Sequence, residues 1–231
     1  MKIPIFKIRA SACSKIMGKK GLGETGKTYL KNWLKGKLFN RQVEIKSKYL
    51  EKGNIMEDQS LDEVAKRFNI GILIKNEKHY SNEWMQGTPD AIINDCVIDV
   101  KNSWDWTTLP LLETEIPFDI KGSLSYYWQL QIYMTLTNKK SAKLIYTLLD
   151  TPEHLIQNEA YWYSKNNGYG DLSDEMLAEF TKKMTYKDVP EKYKYKSFDV
   201  ERNDNDIKLI KERVMECREY IEHLIAINSL N

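Results

Sequence analysis

The sequence predicts an α/β fold in one domain, residues 1–231, and three observations carry that reading. A chain of 231 residues with 42% hydrophobic content can bury one substantial core. Apolar runs of strand length occur in TPDAIINDCVIDVK (88–101) and AKLIYTLLD (142–150). Segments with apolar residues three and four apart, the period of an amphipathic helix, surround them. Without repeats or low-complexity linkers, the chain divides by composition alone: a basic arm (1–48), a core (roughly 42–150) and a helical carboxy-terminal part (151–231).

Taken in order, Ser11 is placed to cap a short helix over 12–17, and a polar, Gly-rich stretch leads to a helical segment near 25–36. A longer helix is expected over roughly 42–68. There Leu61, Val64, Ala65 and Phe68 form one stripe, and Glu57, four residues before Leu61, falls on it and faces inward. Strand-like residues follow near 70–75. SLSYYWQLQIYMTLT (123–137) reads as a mostly buried helix and AKLIYTLLD as a buried strand. Residues 171–183 and 204–228 look helical, the latter with a seam of Ile207, Ile210, Val214, Cys217, Ile221 and Leu224 that suits core packing better than a subunit contact.

A net charge of +2 conceals an asymmetry. Residues 1–48 hold thirteen Lys/Arg against Glu24 and Glu44, about +11, with Tyr29, Trp33 and Phe39 interleaved. That pattern is the footprint of a polyanion binder, with a solvated charged surface as the bland alternative. Cys13, Cys96 and Cys217 lack C-x-x-C spacing, which argues against zinc, an iron–sulfur cluster or a disulfide framework. The amino-terminal MKIPIFKIRA has no apolar signal core and no run is long enough to span a bilayer, so a cytoplasmic protein is expected.

GLGETGKT, Gly21 to Thr28, fits the phosphate-loop pattern G-x-x-x-x-G-K-[ST]. That loop works only where a buried strand feeds it and a helix leaves it, so that backbone N–H groups converge on phosphate. The preceding residues, ASACSKIMGKK, lack a strand's apolar run. A phosphate-loop ATPase is therefore the minor reading, with LIYTLLD ending at Asp150 as its only candidate second motif.

The chemistry lies in TPDAIINDCVIDVK. Asn94-Asp95 suits a two-residue hairpin turn, which sets Ile93 opposite Cys96 and Asp90 opposite Asp99. Opposed residues have Cβ atoms about 4.5–5.5 Å apart, so the two carboxylates repel unless a cation lies between them. Alternation puts Lys101 on the face of Asp99 and sends Ala91, Ile93, Ile98 and Val100 to the other. Oxygen ligands without His or Cys favour Mg²⁺ or Mn²⁺, with Glu57 a further candidate ligand. Such a centre suits phosphodiester hydrolysis, against the blander alternative of a surface salt bridge. On the later helix Gln129, Ile132, Tyr133 and Leu136 share a face; the buried amide of Gln129 needs a partner, either a phosphate or water at the site or a loop carbonyl, while Gln131 points elsewhere.

At these residues the sequence resembles the PD-(D/E)XK nuclease superfamily: Pro89-Asp90 and Asp99-Val100-Lys101 match its signature and Glu57 its first-helix acid. Within it the likeness is to phage exonucleases of the YqaJ or lambda-exonuclease type and to RecB-type nuclease domains. WQLQIYM carries their Q-L-x-x-Y motif at Gln129 and Tyr133, and IRASACSKIMG is similar to their amino-terminal I-T-A-S segment at Ile8, Ala10 and Ser11. The likeness spans roughly residues 8–150, and departs from the family at Arg9, where Thr is usual, and at Asp99, where Glu is commoner.

The resemblance implies a restriction-endonuclease-like core, a central mixed β-sheet flanked by helices. It implies metal ligation by Glu57, Asp90, Asp99 and the Val100 carbonyl, with Lys101 and Gln129 acting on the nucleophile. Ser11 would help hold a DNA terminal phosphate, with Arg9, Lys15 and Tyr133 as further DNA contacts. The activity implied is that of a Mg²⁺-dependent deoxyribonuclease, an exonuclease on duplex ends in phage recombination or DNA processing. An endonuclease on the same fold is the nearest alternative. A single-strand annealing recombination protein and a homo-oligomer are the partners it suggests.

Overall fold

The computed structural model describes residues 3–42, 47–69, 71–112, 115 and 125–230. Its amino-terminal layer is a small sheet in which β1 (Ile8–Arg9) runs parallel to β3 (Met85–Gly87), itself antiparallel to β2 (Tyr80–Ser81). Residues Ala10–Lys15 form a 3-10 helix with no side-chain cap, where a Ser11-capped helix over 12–17 is expected from sequence. The three-residue repeat aligns Ala10 with Cys13, and both are buried together with Ala12.

Helix α1 (Glu24–Leu38) begins after Gly23, buries Leu30 and Leu34, and packs on α6 (Asp204–Ile227). GLGETGKT thus ends in a helix, as a phosphate loop must, but what precedes it is the 3-10 helix and turns rather than a strand. Lys27 is ion-paired with Glu24 at 2.9 Å within the same helix. Of the aromatics interleaved in the basic arm, Tyr29 and Trp33 meet the ring of Phe6 edge-on at 6.3 and 5.2 Å, so their faces serve packing; Phe39 is exposed.

Helix α2 (Lys48–Arg67) starts later than expected, at a Ser47 cap whose hydroxyl accepts from Tyr49 N; the expected residues 43–46 lie outside the described residues. Its stripe of Leu61, Val64 and Ala65 meets Leu73, Ala91, Ile98 and Ile145. Phe68 leaves that stripe, because it is the helix's C-cap and is exposed. No strand forms over 71–75: Leu73 alone is buried, with Ile72 and Ile74 88% and 78% exposed. The segment is anchored instead by one backbone bond, Asn76 N to Asp90 O, rather than by a ladder; Ile70 lies outside the described residues.

The main sheet has the order β4-β5-β6-β7. β4 (Ala91–Ile93) and β5 (Cys96–Asn102) are antiparallel with Ile93 opposite Cys96 and Ala91 opposite Ile98, the register expected from a reversal at Asn94-Asp95. β5 runs parallel to β6 (Ser141–Thr147), and parallel neighbours need a crossover, which α3 (Ser125–Thr137) supplies. α3 is buried over Tyr127–Met134 because it lies against the 3-10 helix on one side and the sheet and α6 on others.

β6 pairs antiparallel with β7 (Tyr195–Glu201), which lacks the clean alternation that would have revealed it in the sequence. Helix α4 (Glu153–Asn166) was also illegible, burying Leu155, Ile156, Ala160 and Ser164 while exposing three successive aromatics, Tyr161 to Tyr163. α5 (Asp174–Met184) packs on it. On α6 the expected seam is core: Ile207, Ile210, Val214, Cys217 and Ile221 are buried. Cys13 and Cys217 are both buried free thiols, and burial pushes the Cys217 thiol up to about 12. No helix among the described residues is long and apolar enough to cross a membrane.

Candidate active site

Three elements converge on one carboxylate. Asp99 sits mid-strand on β5, 0% exposed, because that strand lies between β4 and β6 and beneath α3. Its Oδ1 accepts from Gln129 Nε2 at 3.1 Å, and the same amide nitrogen donates to Tyr133 Oη at 3.1 Å. Both protons of the Gln129 amide are therefore committed. Lys101 Nζ stands 2.7 Å from Asp99 Oδ2 and 5.3 Å from the centre of the Tyr126 ring.

Asp90, directly before β4, accepts from the backbone N–H of Val100 through its Oδ2 at 2.7 Å. The hairpin thus brings the two aspartates together as its register requires. Asn94 takes the left-handed conformation, φ 49°, that a tight reversal of this kind needs and Asn tolerates. Glu57 is one-third exposed and lines the same cleft as Asp90, Val100 and Lys101, a cavity of about 390 Å³. Its carboxylate is held by Lys75 at 3.3 Å, a partner that also binds Asp58 at 2.8 Å. The inward-facing glutamate expected from the helical stripe is half-inward: it reaches the cleft wall and not the core.

The electrostatics follow from burial. Desolvation, then the charge of Asp99, pushes the Asp90 carboxyl up to about 7, against the pull of Lys101 and the Val100 N–H. Burial works against the Lys101 ammonium, but Asp99 and Asp90 more than offset it and hold the group charged. Asp99 Oδ2 is buried, and the Lys101 ammonium 2.7 Å away is its counter-charge. Two desolvated carboxylates set close enough to repel one another are a donor set suited to a hard divalent cation. Among the described residues no group of three or more His, Cys, Asp or Glu gathers, so the fit is to two aspartates with waters completing the shell.

No protein-family profile and no curated protein sequence matches the chain. Solved structures do. A phage-related exonuclease from Haemophilus somnus 129PT superposes with a TM-score of 0.77 at 27% identity, covering 96% of each chain. The alkaline exonuclease LHK-Exo from Laribacter hongkongensis superposes with a TM-score of 0.66 at 17% identity, over 96% of this chain and 91% of that one. LHK-Exo in complex with dAMP gives 0.64 at 17%. The chain has the fold of the phage-related exonucleases. Its mixed sheet flanked by helices is that of a restriction-endonuclease-like core.

In this exonuclease fold the remaining sequence-derived residues are spread over two sides of Asp99. Gln131 turns away, as expected, donating to Glu201 O and accepting from Asn203 N. Arg9, Ser11 and Lys15 lie along the amino-terminal 3-10 segment, exposed, and do not line the cleft. That segment approaches the site from the Tyr133 side. A Cβ on Gly87 would stand 2.7 Å from Tyr133 Cε1 and 2.9 Å from Ala10 Cβ, so glycine is what allows β3, Ala10 and Tyr133 to close together.

Sequence reasoning missed Lys52. It is 0% exposed and donates to the carbonyls of Ser103 and Trp104 at 2.9 and 2.8 Å. Burial lowers its ammonium to about 8, opposed by Asp105 and Asp150. The available signal was its spacing, four residues before buried Met56 and eight before buried Ser60, but a lone lysine at such a position reads as solvated.

Proposed function

We propose that the chain is a metal-dependent deoxyribonuclease that releases nucleotides from DNA ends. The observation that carries this reading is the pairing of Asp90 and Asp99 beside Lys101, in a chain 27% identical along 96% of its length to a phage-related exonuclease. Asp90 and Asp99 would hold Mg²⁺, with Mn²⁺ a substitute; Glu57 and the Val100 carbonyl are the further candidate ligands. The ion would supply Lewis-acid polarisation of the phosphoryl oxygens.

The chain's own residues do the rest. Lys101 enters as an ammonium, not a free amine, so it orients the attacking water and offsets charge growing on the phosphate as its P–O bond breaks. Gln129 holds Asp99 in place through Oδ1, leaving Oδ2 for the reacting centre. Lysines exposed along the arm, among them Lys19, Lys20, Lys31 and Lys35, would contact phosphates without reading bases, and Arg9, Ser11 and Lys15 would meet the DNA terminus. A role in phage recombination, beside a single-strand annealing protein, belongs to the same proposal.

The test is digestion of linear and closed circular duplex DNA with Mg²⁺ and with EDTA. Loss of the linear form alone, abolished by EDTA, is expected. Equal cutting of both forms would make the chain an endonuclease, and no cutting of either would overturn the reading.

A further inference from the structure

The cleft that holds Asp90 and Lys101 is not acidic throughout. Its other wall is aromatic: Trp104, three residues beyond Lys101, meets Tyr49 of α2 edge-on at 5.3 Å, and both rings line the cavity. Tyr49 is 57% exposed at the first turn of a helix, where a core aromatic would have been turned inward. Lys48 Nζ lies 5.0 Å from the Trp104 ring and 5.5 Å from the Tyr49 ring, held there by Glu159 of α4 at 2.6 Å. A cavity of about 390 Å³ is the size that takes one small ligand. Duplex DNA cannot enter it without losing its pairing.

The wall is built rather than incidental. Lys52 spends a fully buried ammonium on two carbonyls, Ser103 and Trp104, which fixes the backbone that carries the indole. Burying a lysine is unfavourable unless its donors are met, and among the described residues its hydrogen bonds go to that loop. Beside the indole, the Ser103 hydroxyl, 5% exposed, has no hydrogen-bond partner among the described residues. Aromatic faces and a fixed cation beside an acidic phosphodiester site fit an unpaired nucleobase, which stacks whatever its identity.

We propose that Trp104 and Tyr49 form a stacking platform for the unpaired base of the nucleotide at the catalytic centre, and that Lys52 is the positioning residue that sets it. The proposal rests on the nuclease reading for its ligand but not for its test. Platform and catalysis use different side chains of one cleft.

The experiment measures binding without cutting, in EDTA, by anisotropy of a short single-stranded oligonucleotide labelled at one end. At the other end it carries a normal or an abasic terminal nucleotide. The wild type should bind the normal end about tenfold more tightly, the scale of one base–aromatic stack. Trp104→Ala should abolish that preference and Trp104→Phe should keep part of it. Lys52→Met should reduce it while the normal-end and abasic-end affinities draw together, which a merely structural loss, lowering both alike, would not do. Equal wild-type binding to both ends, or an undiminished preference in Trp104→Ala, overturns the platform; an undiminished preference in Lys52→Met overturns the positioning role. Because no bond is cleaved, failure here is separate from failure to digest DNA.

Discussion

Gln129 Nε2 and Asp99 Oδ1 lie 3.1 Å apart, a hydrogen bond between the crossover helix α3 and the central strand β5 in the buried interior. It ties the helix that connects two parallel strands to the carboxylate on the first of them. Replacing Gln129 with Leu leaves that oxygen without its donor, at a cost of about 1–3 kcal/mol. On the proposal that Asp99 holds a metal ion, the expected outcome is a lower Tm and a nuclease rate reduced about 10–100-fold, the scale for residues that orient a metal ligand. Thermal melts and initial-rate assays measure both, and an unchanged rate would remove Gln129 from the site.

The metal-free protein should lose stability as the pH rises through about 7. Asp90 holds its proton to about 7 in the folded chain, through burial and then Asp99, against an ordinary value of 3.8. A raised folded-state value means that this group's contribution is complete below the ordinary value and is lost through the raised one. Melting in EDTA across that interval checks the sign, and Asp90→Asn should flatten the curve. On the proposal that Asp90 holds Mg²⁺, proton and cation would compete for the carboxylate, so nuclease activity should climb over the same interval.

Lys101→Met should abolish digestion while leaving DNA binding largely intact. Without the ammonium 2.7 Å from Asp99 Oδ2, the buried carboxylate has no counter-charge. Breaking such a pair from one side costs about 3–5 kcal/mol. Added Mg²⁺ should recover part of that loss. A Tm shift on Mg²⁺ addition no larger in the variant than in the wild type would argue against a cation at this place.

Gly87→Ala probes the seam between the amino-terminal layer and the site. The new Cβ would press on Tyr133 Cε1 at 2.7 Å and on Ala10 Cβ at 2.9 Å. A cost of about 1–3 kcal/mol is expected from overpacking. Because Tyr133 accepts from Gln129, the rate should fall as well, and a variant that lost stability alone would show that the Tyr133 contact does not reach the chemistry.

Lys27→Ala should change neither ATP turnover nor nuclease rate, since Lys27 pairs with Glu24 on its own helix and no strand feeds the loop before it. ATP hydrolysis that disappeared in the variant would restore the phosphate-loop reading.

Much of the site was legible because its logic is local. A two-residue reversal and the period-two alternation of strands suffice to oppose Asp90 to Asp99 and to put Lys101 on the same face. Gln129 and Tyr133 were readable as one helical face through their spacing of four. The elements that escaped, α4 and β7, have mixed polarity and no clean period, while 71–75 has the apolar run of a strand but pairs with no strand among the described residues. The 3-10 geometry at Ala10–Lys15 was set by what covers both Ala10 and Cys13, which no local capping rule reports.

Sequence by itself determined the acidic hairpin, the helix that carries Gln129 and the concentration of positive charge before residue 49, because each is a property of neighbours in the chain. Only the tertiary structure decided which donor answers Asp99, that Glu57 stops at the cleft wall beside Lys75, and that Lys52 is buried against the loop bearing Trp104. Those partners lie 18 to 52 residues apart. Their meeting depends on how helices dock on the sheet, a balance of packing and desolvation summed over the whole core rather than over any one segment.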